Sequence, residues 1–259
     1  MRERLSENKI RRLLGEDSER FNLSVAEVTG STNTDIKNAA RAGAPNNTVR
    51  VADCQTEGRG RMGREFYSPA DSGIYLSYLY KGGFETDTIL RMTTAASVVA
   101  CRAIERVTGT EPKIKWVNDL YLNGRKISGI LAESITDPKS GRICGVVVGI
   151  GVNCTNDSFP MSISEVAGAI SQGGRVPRNE LAAEMIKEFE NVKKIAADGS
   201  YIDEYKRRSM VIGREIRIIG TKTEDASAID IDKNGGLVVK YNDGRIKTLS
   251  SGEISIRIK

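Results

Sequence analysis

Residues 113–153 read KIKWVNDLYLNGRKISGILAESITDPKSGRICGVVVGIGVN, and this stretch decides the fold class. Lys113–Trp116 and Tyr121–Leu122 have the texture of short strands. Asn123-Gly124 supplies two residues that accept positive φ, the requirement of a two-residue hairpin turn. Ile127–Ile135 and Ile143–Asn153 form a second β pair across a loop carrying Pro138 and Gly141. Antiparallel hairpins at mid-chain, with helical segments on either side, predict an α+β fold in which a mixed sheet is flanked by helices.

Toward the N-terminus, residues 1–22 predict a short charged helix with Leu5, Ile10, Leu13 and Leu14 as a weak apolar stripe. A strand is expected over 24–29. Ser31 then stands as an N-cap for a helix over 33–41, closed by Gly43. Strands are expected over 48–55 and 74–80, separated by a glycine-rich loop from Glu57 to Gly73. Residues 87–107 predict a long helix, with Ile89, Met92, Ala96, Val99 and Ile104 on one side. Toward the C-terminus, helices are expected over 163–170 and 178–197. After Met210, turn signals recur at Gly220, Asn234-Gly235, Asp243-Gly244 and Gly252, the texture of a small all-β barrel. The expected domains are therefore 1–210 and 211–259.

The composition narrows the chemistry. The chain has 259 residues, 39 Lys and Arg against 34 Asp and Glu, and a formal charge of +5. This is too weakly and diffusely basic to predict nucleic-acid binding. No apolar run is long enough to span a membrane, and the charged N-terminus lacks the core of a signal peptide. Four cysteines, Cys54, Cys101, Cys144 and Cys154, show no paired spacing. Neither a zinc site nor a disulfide framework is suggested, and a cytoplasmic location is expected. The sequence contains no histidine, which removes imidazole acid–base, triad and histidine–metal mechanisms. Chemistry must run on lysine, arginine, carboxylates, backbone amides or the substrate's own groups.

Three segments can carry it. In QTEGRGRMGR (55–64), three glycines and three arginines fall within seven residues. Glycines let backbone amides approach an anion, and arginines supply donor forks matched to phosphate and carboxylate. Gly58-x-Gly60-x-x-Gly63 also spells the dinucleotide fingerprint, but no helix follows it, since Glu65–Pro69 is turn-rich. Val is missing where a kinase loop needs it. In Lys113–Leu120, alternation separates Lys113 and Lys115 from Ile114 and Trp116. Lys115 reads either as an anion ligand or as a solvated edge lysine. In Val148–Asn153, Gly149 and Gly151 bare one face of a strand, for a ligand or for another backbone.

Taken together, Ser31-Thr32-Asn33, QTEGRGRMGR (55–64), KWVNDLYLNGRKISGIL (115–131) and GIGVN (149–153) resemble the biotin protein ligases in order and approximate spacing. Lipoate ligases share that fold but lack the pairing of arginine loop with Lys-Trp-x-Asn-Asp. The resemblance implies a class II aminoacyl-tRNA-synthetase-like catalytic domain and a small C-terminal Src-homology-3-like β-barrel. It implies activation of biotin by ATP and Mg²⁺ to biotinyl-5′-AMP, then transfer to a lysine of a biotin carboxyl carrier domain. Biotin contacts are implied for Ser31, Thr32, Asn33, Gln55, Arg59, Gly60, Arg61, Lys115, Gly129, Gly149 and Gly151. Nucleotide contacts are implied for Arg59, Arg61, Arg64, Phe66, Asn118 and Asn153, and catalytic roles for Lys115 and Arg61.

The magnesium ligands are not implied, and Asp119 is a candidate proton acceptor in the transfer step. Three positions depart from the usual pattern: Val117 stands where proline is common, Phe66 where tryptophan is common, and Met62 where a basic residue is common. Some members carry an N-terminal DNA-binding domain of about 60 residues; only 30 residues precede Ser31, so operator binding is not expected. Members occur as monomers and as dimers, and a homodimer is compatible with the resemblance.

Overall fold

The computed structural model describes residues 3–85, 87–156, 158–171, 173–220, 222–250 and 255–258. Seven strands build the main sheet: β1 (Asn22–Thr29), β2 (Thr48–Gln55), β3 (Gly73–Lys81), β4 (Lys113–Lys115), β5 (Asp119–Leu122), β6 (Arg125–Thr136) and β7 (Ile143–Asn153). Their spatial order is β1-β2-β3-β7-β6-β5-β4. The sheet is mixed, with β1 and β2 parallel and the other neighbours antiparallel. The hairpins expected between 113 and 153 are present. Asn123 (φ 50°) and Gly124 (φ 76°) turn β5 into β6 with both residues in the left-handed region, which is why Asn-Gly stands there.

Strand alternation gives the sheet two different faces. On one, Ile74, Leu76, Tyr78 and Tyr80 of β3 and Val146, Val148, Ile150 and Val152 of β7 join the main core. That face is covered by α3 (Thr88–Thr108), the longest helix, which packs in turn on α4 (Arg178–Glu190) and α5 (Val192–Asp198). The other face is apolar only at one end, where Leu79, Ile135 and Val147 pack on Ile36 of α2 (Thr32–Arg41). Further along β7 the same face presents Gly149, Gly151 and Asn153. β7 contributes no large side chain of its own there, and the candidate site lies on that stretch.

The N-terminal helix is shorter than expected. α1 covers Glu7–Leu14, Gly15 (φ 65°) stops it, and Gly15–Arg20 continues as a 3₁₀ turn. Residues 1 and 2 and the turn signal at Gly252 lie outside the described residues. The expected helix over 163–170 is not formed. That segment gives its backbone to the sheet instead: Lys126 N–H donates to Val166 O and Gly168 N–H to Lys126 O, both at 2.8 Å. The single helix expected over 178–197 is two, broken at Asn191, and Gly199 (φ 75°) closes the second. α6 (Ile202–Arg208) was not anticipated.

The C-terminal segment forms a second, antiparallel sheet of β8 (Glu215–Ile219), β9 (Thr223–Ile231), β10 (Leu237–Tyr241), β11 (Ile246–Leu249) and β12 (Ser255–Ile258), ordered β11-β10-β9-β8-β12. It is the Src-homology-3-like unit. It is fastened to the main body by polar and apolar contacts. Trp116 Nε1 donates to Gly235 O at 2.9 Å, and Ile216, Val239 and Ile256 share one continuous core with Trp116 and Val211. No described helix is long and apolar enough to cross a membrane.

Candidate active site

The cross-strand register lays out the floor of the site. Ser77, Gly149 and Leu131 stand in one row across β3, β7 and β6, and Tyr75, Gly151 and Gly129 in the next. Each glycine makes room for a side chain arriving from elsewhere. A Cβ at 149 would overlap the Asn33 amide, and a Cβ at 151 would overlap the Phe66 ring. A Cβ at 129 would lie 3.3 Å from the other edge of that ring. Phe66 therefore lies in a glycine trough, with Tyr75 edge-on at 6.4 Å between centroids. The bared face was expected to take a ligand or another backbone; the space directly over Gly149 and Gly151 is instead taken by the side chains of Asn33 and Phe66, which themselves line the cavity.

The start of α2 delivers the polar groups at one end. Ser31 sits at the N-cap position (φ −158°, ψ 128°), but its side chain makes no capping bond. Thr32 N–H and Oγ1 both reach Gln55 Oε1, at 2.9 and 3.1 Å. Gln55 Nε2 continues to Ser68 Oγ at 3.1 Å, and Ser68 donates to Phe66 O at 2.8 Å. Asn33 is buried, with Nδ2 on Glu133 and Leu131 O and Oδ1 on Ser77 Oγ.

The arginine loop is a small pinned flap. Phe66 N–H donates to Gly58 O at 2.9 Å and Gly60 N–H to Arg64 O at 2.7 Å, so Arg59 and Glu65 pair as an antiparallel bridge. The turn itself uses Met62 (φ 59°) and Gly63 (φ 70°) in the left-handed region. Gly58 is required by contact: a Cβ there would strike Phe66 O and lie 2.5 Å from Ser68 Oγ. Arg61 reaches inward and donates to Asn118 Oδ1 at 3.2 Å, while Asn118 Nδ2 is held by Ile130 O at 2.8 Å.

Cations collect at the other end. Lys115, half-buried, lies 5.5 Å from the centre of the Tyr121 ring and stands in register opposite Asp119. Burial holds its ammonium below the usual lysine range. Asp119 opposes the shift, and Lys126, Arg257 and Arg64 reinforce it. Burial likewise lowers the Arg61 guanidinium. Asp119 is ion-paired with Lys126 at 2.6 Å, so one carboxylate sits among several cations. At the end of β7, Asn153 Nδ2 donates to Gly168 O at 2.9 Å. Its Oδ1 is buried without a hydrogen-bond partner among the described residues.

These parts enclose one cavity of about 660 Å³. Every residue singled out from the sequence lines it: Ser31, Thr32, Asn33, Gln55, Arg59, Gly60, Arg61, Arg64, Phe66, Lys115, Asn118, Gly129, Gly149, Gly151 and Asn153. Sequence reasoning did not assign Trp116, Tyr121 or Lys126, which also line it. Strand alternation running on from Lys115 through the Asn-Gly turn was the available signal for Tyr121 and Lys126. Nothing local announces Phe159, Val166, Ile219 or Arg257, which line it from distant segments.

Comparison with known proteins agrees with this geometry. The biotin/lipoate A/B protein ligase family model matches residues 25–153 and the biotin protein ligase C-terminal domain model matches 211–257. A biotin–[acetyl-CoA-carboxylase] ligase of Mycobacterium tuberculosis is 30% identical, covering 98% of this chain and 96% of its own. The bifunctional ligase/repressor BirA of Bacillus spizizenii is 30% identical over 98% of this chain and 79% of its own. The solved biotin protein ligase of Aquifex aeolicus in complex with biotin and ATP superposes with a TM-score of 0.79 at 27% identity, covering 92% of this chain and 99% of that one. Two family models matched in order, and a shared identity running through nearly the whole of two chains, mean that this protein belongs to the biotin protein ligase family and is a ligase.

Proposed function

We propose that the chain joins biotin to AMP with ATP and Mg²⁺, and then passes biotin to a lysine of a biotin carboxyl carrier domain. The observation that carries this is the division of one cavity into two ends. The neutral amides and hydroxyls of Ser31, Thr32, Asn33 and Gln55 suit an uncharged polar head group. The cationic end, with Lys115, Arg61, Arg64 and Lys126, suits a carboxylate and a phosphate side by side. In the first step a biotin carboxylate oxygen attacks the α-phosphorus and pyrophosphate leaves. The nucleophile is already an anion, so no general base is needed. What is needed is two like-charged groups held together while charge builds on the phosphate. Lys115, Arg59 and Arg61 do this electrostatically, with little reorganisation because Arg61 is oriented by Asn118. Gly60 lets the flap backbone come close, and Gly129, Gly149 and Gly151 keep the floor flat. Phe66 offers a ring to the adenylate, and the unpartnered Asn153 Oδ1 offers an acceptor to a nucleotide N–H.

The described residues hold no cluster of three metal-binding side chains. Among the described residues, the carboxylates that line the cavity are Asp119 and Glu65. That donor set fits a magnesium ion that arrives on nucleotide phosphates and completes its shell with water. Bound there, the ion supplies further neutralisation of phosphate charge. In the second step the carrier lysine's ε-amine attacks the acyl carbon and AMP leaves, with the cavity-lining carboxylate of Asp119 to receive a proton. We assign catalysis to residues 1–210, and to 211–259 the closing of the cationic end through Ile219, Ile256 and Arg257. The four free thiols support a cytoplasmic setting.

The test is direct. Purified protein with biotin, ATP and Mg²⁺ is expected to release pyrophosphate and accumulate biotinyl-5′-AMP, and labelled biotin should reach a carrier domain. Transfer of lipoate without transfer of biotin would overturn the reading, as would absence of the adenylate.

A further inference from the structure

We propose that Glu133 and Ser77, neither of which lines the cavity, are positioning residues that fix the polarity of the Asn33 amide and so set the affinity for biotin. The inference rests on the function proposed above. An asparagine amide has two ends of nearly equal shape and opposite polarity, so packing alone cannot choose its orientation. Here the surroundings choose. Asn33 Nδ2 lies 2.8 Å from Glu133 Oε2 and 3.3 Å from Leu131 O. Both can only accept, because Glu133 is an ion-paired carboxylate with Lys37 Nζ at 2.6 Å from its other oxygen. A flipped amide would set its oxygen against two acceptors. Oδ1 is thereby directed to Ser77 Oγ at 2.6 Å.

The direction is passed on. Ser77 is fully buried and has one proton. Asn33 Oδ1 can only accept, so Ser77 Oγ donates to it, and the same hydroxyl lies 2.7 Å from Thr32 Oγ1 as its donor. Thr32 Oγ1 keeps its own proton for Gln55 Oε1, which accepts from the Thr32 N–H as well, and Gln55 Nε2 is thereby aimed at Ser68. A chain of hydrogen bonds thus runs from the Lys37–Glu133 pair across the floor to the base of the flap, and each link has a defined sense. A cyclic urea, with one acceptor oxygen and two N–H donors, needs the groups around it to keep a fixed donor and acceptor order. A site built on directed hydrogen bonds loses affinity when that order is scrambled.

The experiment is biotin binding by calorimetry, with steady-state adenylation, for the full chain and its Glu133→Gln, Ser77→Ala, Asn33→Ala and Asn33→Ala/Glu133→Gln variants. Glu133→Gln is expected to weaken biotin binding about 10-fold, the scale of one mispaired buried polar group. KM for biotin should rise with it, while kcat at saturating biotin and KM for ATP stay within about twofold. In the Asn33→Ala background the same substitution should cost less than about twofold, because its effect travels through Asn33. Ser77→Ala removes a single oxygen and carries the test should Glu133→Gln fail to fold. An equal cost in both backgrounds, or unchanged biotin affinity in Glu133→Gln and Ser77→Ala, would overturn the inference. Failure of the unsubstituted chain to bind biotin would instead overturn the function it rests on.

Discussion

The Phe66 ring lies directly on the bare backbone of Gly151, in the space where any other residue at 151 would carry its Cβ. Gly151→Ala therefore pushes the ring out of its trough without touching a charge. The main core lies on the opposite face of β7, so the fold should tolerate the change better than the reaction does. A displacement of about 1 Å at a positioning group costs on the order of 100-fold. We expect adenylate formation to fall by about 10- to 100-fold. Pyrophosphate release together with a thermal melt checks both halves of this prediction.

Lys115→Ala removes a half-buried ammonium from the cationic end. We expect adenylate formation to drop at least about 100-fold, the scale of losing one preorganised charge stabiliser. Turnover within a few-fold of the unsubstituted enzyme would remove Lys115 from the mechanism.

The same ammonium sets an alkaline limit. Burial lowers its pKa, so it loses its proton at a lower pH than an exposed lysine would. Activity that needs the charged form is complete below that pKa and declines as pH rises through it. The alkaline limb of the pH–rate profile should begin below the ordinary lysine range of about 10.4. Lys115→Arg should move the limb upward, because a guanidinium stays charged. A limb that does not move in that variant would assign it to another group.

Trp116 is the single tryptophan of the chain, and its indole N–H is the bond to Gly235 O across the junction with the C-terminal sheet. Trp116→Phe keeps most of the apolar bulk but leaves that carbonyl unpaired. A loss of about 1–3 kcal/mol is expected in urea unfolding. In the unsubstituted protein, cavity-lining Trp116 should report biotin addition as a change in intrinsic fluorescence.

Arg178 is 1% exposed and joins α4 to the sheet. It pairs with Asp53 and donates through Nε to Gly73 O at 3.0 Å and through Nη1 to Glu3 O at 2.8 Å. Removing one member of a buried pair leaves the other charge uncompensated. Arg178→Met should cost about 3–5 kcal/mol, and Arg178→Met/Asp53→Leu should recover part of it. Equilibrium denaturation of both variants decides the point.

The sequence by itself determined what depends on neighbours along the chain. Asn123-Gly124 needs positive φ whatever surrounds it, so the β5–β6 hairpin was legible. The alternation in Ile143–Asn153 put Gly149, Gly151 and Asn153 on one face before any partner was known. The arginine loop stood out as a candidate site segment because no packing role explains three arginines among three glycines, and it does line the cavity. The tertiary structure decided what depends on who arrives from afar. It placed Phe66 on Gly151 and Asn33 on Gly149, brought Arg257 to the cationic end, and aimed Glu133 at Asn33 from a hundred residues away in the chain. It also turned Ile163–Ile170 from an expected helix into an edge partner of Lys126, because backbone hydrogen bonds to a strand outweighed a weak local periodicity. Local conformational preference and strand period are properties of short segments. Which side chain fills a neighbour's missing Cβ is a property of the packed chain.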